Sequence, residues 1–320
     1  MIQVKNLTKI YKTTVKGSSF FSDLFNRKYK EVVALDKVSF EIAGNELVGF
    51  IGPNGAGKTT TLKILAGILY PTSGQVNVLD YFPFDKKRSF LKQIAFVMGQ
   101  RNQLLWDLPA LDTFQLNKEI YEVSDDRYHQ IVDELTSLLN AENLVEKPVK
   151  TLSLGERMKM ELIATLIHNP KLIFFDEPTI GLDLFSQEII REFIKKYQKQ
   201  YRATIMLTSH YMEDVKRLAK RIIVINKGKI LYDGNLKEIV QKYSSTKLVT
   251  VVLESKIDQI KLSSIGNIIS YVFPKVSYKI DRHLIPEKID LINRLLPYMD
   301  LTIEEEPIEE IIKKLFSGKK

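Results

Sequence analysis

The chain has 320 residues, of which 44% are hydrophobic and 27% are charged, and its formal net charge at pH 7 is +8. These proportions are typical of a globular protein that is long enough for one large domain and a smaller one. The absence of cysteine excludes disulfides and thiolate metal sites. We expect a cytoplasmic protein without a signal peptide or a membrane span.

The start of the chain is basic. Residues 1–35 contain seven lysine or arginine residues and two acidic ones. A basic segment is typical of a protein that lies near an anionic surface, either a membrane or a nucleic acid. The alternative is a solvated, lysine-rich surface, and charge by itself does not separate these explanations.

Two alternating patterns at the start of the chain predict strands. The first covers residues 2–11 and the second covers residues 38–42. Between them lies an excursion, residues 12–32, which has an aromatic helical face followed by basic residues. The aromatic residues concerned are Phe20, Phe21 and Phe25. This pattern is typical of an interfacial helix, and the alternative is a loop that packs on its own domain.

A glycine-rich loop follows the apolar strand pattern at residues 47–51. Residues 52–59 are GPNGAGKT, the G-x-x-x-x-G-K-[ST] spacing of a P-loop, and a helical pattern follows. The backbone N–H groups of such a loop and the start of its helix bind phosphate oxygens. We predict that Lys58 reaches the β- and γ-phosphates of ATP and that the Thr59 hydroxyl ligates Mg²⁺. The predicted nucleotide-binding residues here are Gly52, Pro53, Asn54, Gly55, Ala56, Gly57, Lys58, Thr59 and Thr60.

Strand and helix patterns alternate beyond the P-loop. A helical insert is predicted over about residues 101–170, and the continuous apolar run at residues 172–175 is typical of a central parallel strand. Asp176 and Glu177 end this run. Asp176 can hold Mg²⁺ through water, and Glu177 can polarise the water that attacks the γ-phosphate. The alternative for two adjacent carboxylates is a solvated corner of the fold.

The pattern changes again near residue 246. Strand patterns are followed there by amphipathic helices, and the net charge of residues 246–320 is near zero. We predict two domains, a nucleotide-binding domain at residues 1–245 and a small α+β domain at residues 246–320. The second domain is expected to have a regulatory or dimer-bracing role.

Several motifs together resemble the ATP-binding cassette (ABC) transporter ATPases over residues 1 to about 240. GPNGAGKT is similar to the Walker A motif of that family, and LIFFDEP at residues 172–178 is similar to Walker B with its catalytic glutamate. TIGLD at residues 179–183 resembles the D-loop, and TSH at residues 208–210 resembles the switch motif. The resemblance implies an α/β P-loop NTPase fold with a parallel core sheet, an antiparallel β subdomain and a helical insert.

The resemblance also implies roles for single residues. Glu177, His210 and Gln100 would be catalytic, and Asp183 would lie at a dimer contact. Gln100 would sense the γ-phosphate and would join Thr59 and Asp176 as a ligand of Mg²⁺. Tyr11 would stack on adenine, and the alternative for it is a buried core tyrosine.

LSLGERM at residues 152–158 resembles the signature motif with two departures. The family has glycine where Leu154 stands and glutamine where Glu156 stands. Ser153 and Gly155 remain, and the resemblance implies that they bind the γ-phosphate of the ATP held by a partner subunit. Because a carboxylate repels phosphate, we expect Glu156 to point toward Arg157 or the ribose.

The signature motif acts on the partner's nucleotide, so the resemblance implies a head-to-tail dimer, expected to be a homodimer, that encloses two ATP molecules with Mg²⁺. The signature variant, QRNQLLWDLP at residues 100–109 and the aromatic excursion together are similar to the exporter-type subfamily. Its members work with separate six-helix permease chains, which implies a place at the cytoplasmic face of the membrane. The alternative is a soluble ABC ATPase acting on nucleic acid or ribosomes, and nucleic acid is the less expected partner.

An apolar cluster follows Gln100. It consists of Leu104, Leu105 and Trp106 and is closed by Asp107 and Pro109. One interpretation is a socket for a permease helix, because buried aromatic residues commonly anchor interfaces. The other is the core of the helical insert.

Overall fold

The computed structural model describes residues 1–14, 29–99, 102–209 and 211–317. In this part of the chain two compact units form, Met1–Asp233 and Gly234–Lys320. The boundary predicted from the sequence lies after residue 245. The structure divides the chain earlier, because the helix Leu236–Tyr243 packs against the helix Ile308–Ser317 and both lie in the second unit.

Strands and helices alternate along the first unit. Its strands are β1 (Ile2–Thr14), β2 (Tyr29–Ile42), β3 (Leu47–Ile51), β4 (Ser73–Val78), β5 (Ile94–Met98), β6 (Leu172–Asp176), β7 (Thr204–Thr208) and β8 (Arg221–Asn226), and β9 (Lys229–Asn235) extends two residues beyond the limit of this unit at Asp233. Its helices are α1 (Lys58–Leu65), α2 (Arg88–Leu91), α3 (Ala110–Tyr121), α4 (Asp125–Leu139), α5 (Leu154–Leu166), α6 (Leu184–Tyr201) and α7 (Met212–Leu218). Short 3₁₀ turns lie at Pro83–Asp85, Glu142–Leu144 and Val149–Thr151.

A six-stranded sheet, as far as the structure describes the chain, forms the centre of this unit in the order β5-β6-β7-β3-β8-β9. The pairs from β5 to β8 are parallel. Every residue of β3 and β7 is buried, which explains why these strands are continuous apolar runs rather than alternating ones. Parallel strands end at the same edge, so the loops after β3, β6 and β7 lie side by side. The predicted parallel core sheet is confirmed.

The antiparallel sheet has the order β2-β1-β4. Strands β1 and β2 pair along their whole length, from Ile2 opposite Ile42 to Thr14 opposite Tyr29. The excursion predicted at residues 12–32 is therefore partly strand. The end of β1 and the start of β2 could not be predicted from hydrophobic alternation, because Val32 and Val33 are both exposed. The aromatic helix predicted around Phe20, Phe21 and Phe25 lies outside the described residues.

The helical insert contains α3, α4 and α5, and α5 contacts both of the others. These helices span Ala110 to Leu166, within the predicted limits of about 101–170. Residues between β5 and β6 therefore form the insert, and its last helix begins at Leu154, within the motif at residues 152–158. Over residues 1–14, 29–99, 102–209 and 211–317, no helix is long and apolar enough to cross a bilayer.

The second unit has an α+β fold, as predicted. Its strands are β10 (Thr246–Leu253), β11 (Asn267–Val272), β12 (Lys275–Asp281) and β13 (Tyr298–Glu305). Its helices are α8 (Leu236–Tyr243), α9 (Gln259–Ser263), α10 (Ile285–Leu295) and α11 (Ile308–Ser317), with a 3₁₀ turn at Arg282–Leu284. The antiparallel order β11-β12-β10-β13, with α9 and α10 as the crossovers, is the ferredoxin-like βαββαβ arrangement.

Candidate functional site

The loop between β3 and α1 has a backbone that requires glycine at two positions. Gly57, the residue before α1, has φ +110°, a conformation that residues with a Cβ atom rarely adopt. Gly52 lies so close to β8 that an added Cβ would be 2.2 Å from the carbonyl oxygen of Ile225. The loop therefore has the compact backbone expected of a phosphate-binding P-loop.

Lys58 is buried at the start of α1. Its ammonium group donates hydrogen bonds to the carbonyl oxygens of Gly52 at 2.7 Å and Pro53 at 3.2 Å. Burial lowers the pKa of Lys58, and the negative charges of Glu177 and Asp176 act in the opposite direction. The lysine is thus held against the first residues of the loop, beside two carboxylates.

Asp176, the last residue of β6, accepts hydrogen bonds from two threonine hydroxyls. The hydroxyl of Thr59 lies 3.1 Å from its Oδ1 atom, and that of Thr208 at the end of β7 lies 2.7 Å away. Thr59 and Asp176 therefore bring a hydroxyl and a carboxylate together, which is the oxygen donor set that suits Mg²⁺. The described residues contain no cluster of three His, Cys or acidic side chains suited to a metal. Mg²⁺ bound with nucleotide needs no such cluster, because phosphates and water supply its other ligands.

Glu177 has an unusual backbone conformation, with φ +57°. Its N–H group donates to the carbonyl oxygen of Thr208 at 3.1 Å and to the hydroxyl of Thr208 at 3.2 Å. On the other side, an added Cβ at Gly99 would be 2.0 Å from the carbonyl oxygen of Glu177. Left-handed backbone at a non-glycine residue persists only where its surroundings hold it, and such positions are concentrated at functional sites.

Lys58, Thr59 and Glu177 line one cavity of about 490 Å³, and Asp176 is hydrogen-bonded to Thr59 without lining it. Its lining includes Tyr11, residues 54–60 and Glu177, together with residues 32–34 of β2. Tyr11 is 37% exposed and its hydroxyl lies 3.3 Å from that of Thr60, so the alternative of a buried core tyrosine is wrong. Gly52 and Pro53 are not lining residues and contribute their carbonyl oxygens to Lys58 instead.

Sequence reasoning missed two features of this site. Val32, Val33 and Ala34 line the cavity because β2 pairs with β1 beside Tyr11. Thr208 joins Asp176 to Glu177 through the contacts described above. Thr208 lies in the TSH motif, so that motif was a usable signal for it. Gln100 and His210 lie outside the described residues, and their predicted roles stay predictions.

The signature-like motif begins α5 with a capping box. The Ser153 N–H group donates to Glu156 Oε2 at 2.9 Å, and the Glu156 N–H group donates to Ser153 Oγ at 3.3 Å. The bond from Ser153 lowers the pKa of Glu156. The expectation that Glu156 points toward Arg157 or the ribose is wrong, because the carboxylate bonds to the helix start instead. The guanidinium of Arg157 lies 5.4 Å from the centre of the Trp106 ring.

The signature-like motif lies beside the D-loop-like segment. An added Cβ at Gly155 would be 2.3 Å from Ser186 Oγ. Asp183 caps α6, since its Oδ1 and Oδ2 atoms accept from the Ser186 N–H group at 2.9 Å and the Ser186 hydroxyl at 2.6 Å. Among the described residues that line the P-loop cavity, none comes from residues 152–158 or 179–183. Ser153, Gly155 and Asp183 are therefore absent from the cavity lining of their own chain.

The apolar cluster at residues 104–106 is divided by burial. Leu104 is buried, whereas Trp106 is 48% exposed. The backbone N–H groups of Gln103 and Leu104 donate to the carboxylate of Glu161 on α5 at 2.6 and 3.4 Å. Glu161 is buried, and burial raises its pKa to about 7. The segment that contains Trp106 is thus fixed to helix α5.

Three comparisons with known proteins bear on this site. The ABC transporter family profile matches residues 35–180. The chain is 34% identical over 225 residues to the ABC transporter ATP-binding protein NatA of Bacillus subtilis, covering 70% of this chain and 91% of NatA. It is 26% identical over 302 residues to the bacitracin transport ATP-binding protein BcrA of Bacillus licheniformis, covering 91% of this chain and 95% of BcrA.

A solved structure also resembles the chain. It is a dimeric, post-hydrolysis state of the ATP-binding cassette MJ0796 bound to ADP and Pi. The match has a TM-score of 0.62 and 25% identity, and it covers 74% of this chain and 99% of that one. The predicted cassette fold is confirmed.

Proposed function

Because the chain belongs to the family of ABC transporter ATP-binding proteins, we propose that it binds MgATP and hydrolyses it in a head-to-tail homodimer. The energy would drive export through a separate membrane permease, which would hold the chain at the cytoplasmic face of the membrane. The observation that carries the proposal is that Lys58, Thr59 and Glu177 line one cavity with Tyr11, while Asp176 is hydrogen-bonded to Thr59.

Each group has a chemical role in this proposal. Lys58 and the N–H groups of the P-loop bind the phosphates, and the Tyr11 ring stacks on adenine. Thr59 and Asp176 hold Mg²⁺, which would neutralise charge on the phosphates. Glu177 accepts a proton from the attacking water. Phosphate release by the purified chain, measured with ATP in Mg²⁺ and in EDTA, tests the proposal. We expect release in Mg²⁺ alone, and absence of release in both would contradict it.

The proposed dimer is supported by residues of the signature-like motif, which do not line the cavity of their own chain. The hydroxyl and helix N-terminus of the signature-like motif would reach the nucleotide of a second copy. Two large apolar residues directly follow Asp183 and are highly exposed. Leu184 is 82% exposed and Phe185 is 76% exposed. A second copy that covers this surface would bury them. The dimeric cassette MJ0796 has the same fold, which supports this arrangement.

Glu156→Gln should strengthen ATP-dependent dimerisation. Glutamine also closes a capping box, so the free energy of unfolding should stay within about 1 kcal/mol of the wild-type value. Removing the carboxylate removes repulsion of about 2 kcal/mol per phosphate charge at about 8 Å and an effective dielectric constant of about 20. Size-exclusion chromatography over a series of ATP concentrations should show dimer at an ATP concentration roughly thirtyfold lower or less, since about 1.4 kcal/mol corresponds to a factor of ten. Glu146→Gln, an exposed change on the same insert, is the control, and an equal effect of both variants would contradict the prediction.

Trp106→Ala should uncouple the chain from its permease. The Trp106 ring is exposed, and it is held in place by Arg157 and by the hydrogen bonds of residues 103 and 104 to Glu161. Such a ring is suited to anchor a partner helix. Its loss should cost about 2 kcal/mol or more of binding, roughly a thirtyfold loss of affinity. MgATP binding by the isolated chain should be nearly unchanged, while permease-stimulated hydrolysis should be lost. Trp106→Phe keeps an aromatic ring and should retain part of the stimulation. Unfolding of the alanine variant would instead show that Trp106 supports the fold of the isolated chain.

A further inference from the structure

A buried carboxylate outside the P-loop cavity connects several loops of the first unit. Asp214, in the first turn of α7, is 0% exposed. Its Oδ2 atom accepts hydrogen bonds from the hydroxyls of Thr179, at 2.6 Å, and Ser209. Its Oδ1 atom accepts from Arg191 Nε at 2.6 Å. A buried carboxylate needs such compensation, and its ionised oxygens make stronger hydrogen bonds than a neutral acceptor would.

Two of these contacts hold the ends of the D-loop-like segment. Thr179 begins the segment and stands two residues after Glu177. At the other end, Arg191 donates to Gln187 Oε1 at 2.8 Å, and Gln187 Nε2 donates to the carbonyl oxygen of Leu182 at 3.0 Å. Residues 179–182 are thus fixed to Asp214 directly at their start and through α6 at their end. Asp183 follows immediately.

The third contact holds the switch-like segment. Ser209 donates its hydroxyl proton to Asp214, and the same oxygen accepts from the N–H group of Tyr211 at 2.9 Å. The residues on both sides of position 210 are therefore bonded to one network. Ser209 also directly follows Thr208, which bonds to Asp176 and Glu177.

We propose that Asp214 is a positioning residue for hydrolysis, which couples the segment that carries His210 to the segment that carries Asp183. A fully satisfied buried polar network is rigid, so displacement of one segment changes the hydrogen bonds of the other. Through Asp214, the geometry around Glu177 depends on the segment that meets the second copy. This inference rests on the proposed function, because it assigns a role in ATP hydrolysis.

The network also has a structural role, since Arg191 and Asp214 form a buried ion pair between α6 and α7. Replacing Asp214 would remove the buried charge partner of Arg191 and leave it only the part-exposed Glu188 at 3.3 Å, which would endanger the fold. Thr179→Val and Ser209→Ala are better variants. Each removes one hydroxyl and leaves the ion pair intact. Thr136→Val is the control, because Thr136 is a buried threonine whose hydroxyl bonds to Val132 O within α4.

The test is a double-mutant cycle on the full chain, with kcat and KM for MgATP and the unfolding temperature measured for each variant. We expect Thr179→Val and Ser209→Ala each to lower kcat about tenfold, with KM within about twofold of the wild type. The double variant should be no slower than the slower single variant, because both hydroxyls bond to the same oxygen atom. Thr136→Val should leave kcat within about twofold of the wild type even if it lowers the unfolding temperature as much.

Two outcomes would overturn the role of Asp214 while leaving the proposed function intact. One is a wild-type kcat in both folded single variants. The other is a double variant whose loss is the product of the two single losses, since independent hydroxyls would behave in that way. If one single variant fails to fold, the kcat of the other decides the matter by the same limits. Absence of hydrolysis by the wild-type chain would overturn both the proposed function and this inference.

Discussion

Glu177→Gln should lower ATP hydrolysis by about 100-fold to 10,000-fold while MgATP binding is retained. Glutamine has nearly the same shape as glutamate and cannot accept a proton from the attacking water. The contacts that hold the backbone of Glu177 come from Thr208 and Gly99, and the substitution leaves both in place. Phosphate release measures the loss of hydrolysis, and isothermal titration calorimetry measures the retained binding.

The same variant should accumulate as an ATP-bound dimer. Hydrolysis ends the nucleotide-bridged state, so a chain that binds ATP without cleaving it should elute as a dimer in size-exclusion chromatography with MgATP. Glu146→Gln, which removes an exposed carboxylate of the insert, should elute and hydrolyse like the wild type. Wild-type turnover by Glu177→Gln would show that another group activates the water.

Lys58→Met should weaken MgATP binding by at least about thirtyfold, which corresponds to about 2 kcal/mol lost with a buried charge partner. Methionine keeps most of the apolar stem of lysine and removes the ammonium group. The substitution also removes the hydrogen bonds to Gly52 and Pro53. Circular dichroism must therefore show that the variant is folded before its affinity is compared by titration calorimetry.

Lys63→Met is the matched control for this prediction. Lys63 lies on the same helix α1 and is not among the residues that line the P-loop cavity. The control has the same change in charge and side-chain type, and it should bind MgATP within about twofold of the wild type. Equal affinity of folded Lys58→Met and the wild type would remove Lys58 from the phosphate site.

The P-loop and the acidic pair could be identified from the sequence because each is local. In the P-loop, strand, loop and helix follow one another without interruption, so the spacing of a few residues determines where N–H groups and Lys58 lie. Asp176 and Glu177 end an apolar run, and parallel strands end at one edge of a sheet. The S-x-x-E spacing of Ser153 and Glu156 is also local, and it is the sequence signal of the capping box that orients Glu156.

Contacts between distant segments were decided by the tertiary structure. Tyr11 lies beside Val32 because of the register of β1 and β2, and their exposed apolar residues have no alternating pattern from which that register could be predicted. Thr208 meets Asp176 across 32 residues of sequence because β6 and β7 are neighbours in the sheet.

The network around Asp214 depends on the same cause. Its donors come from the loops after β6 and β7 and from α6, so no short spacing in the sequence predicts it. The sequence by itself determined the family of this protein and the position of its P-loop, because both are encoded in contiguous motifs. The packing of the whole core decided which other side chains support those motifs, because only packing sets the distances between residues that are far apart in the chain.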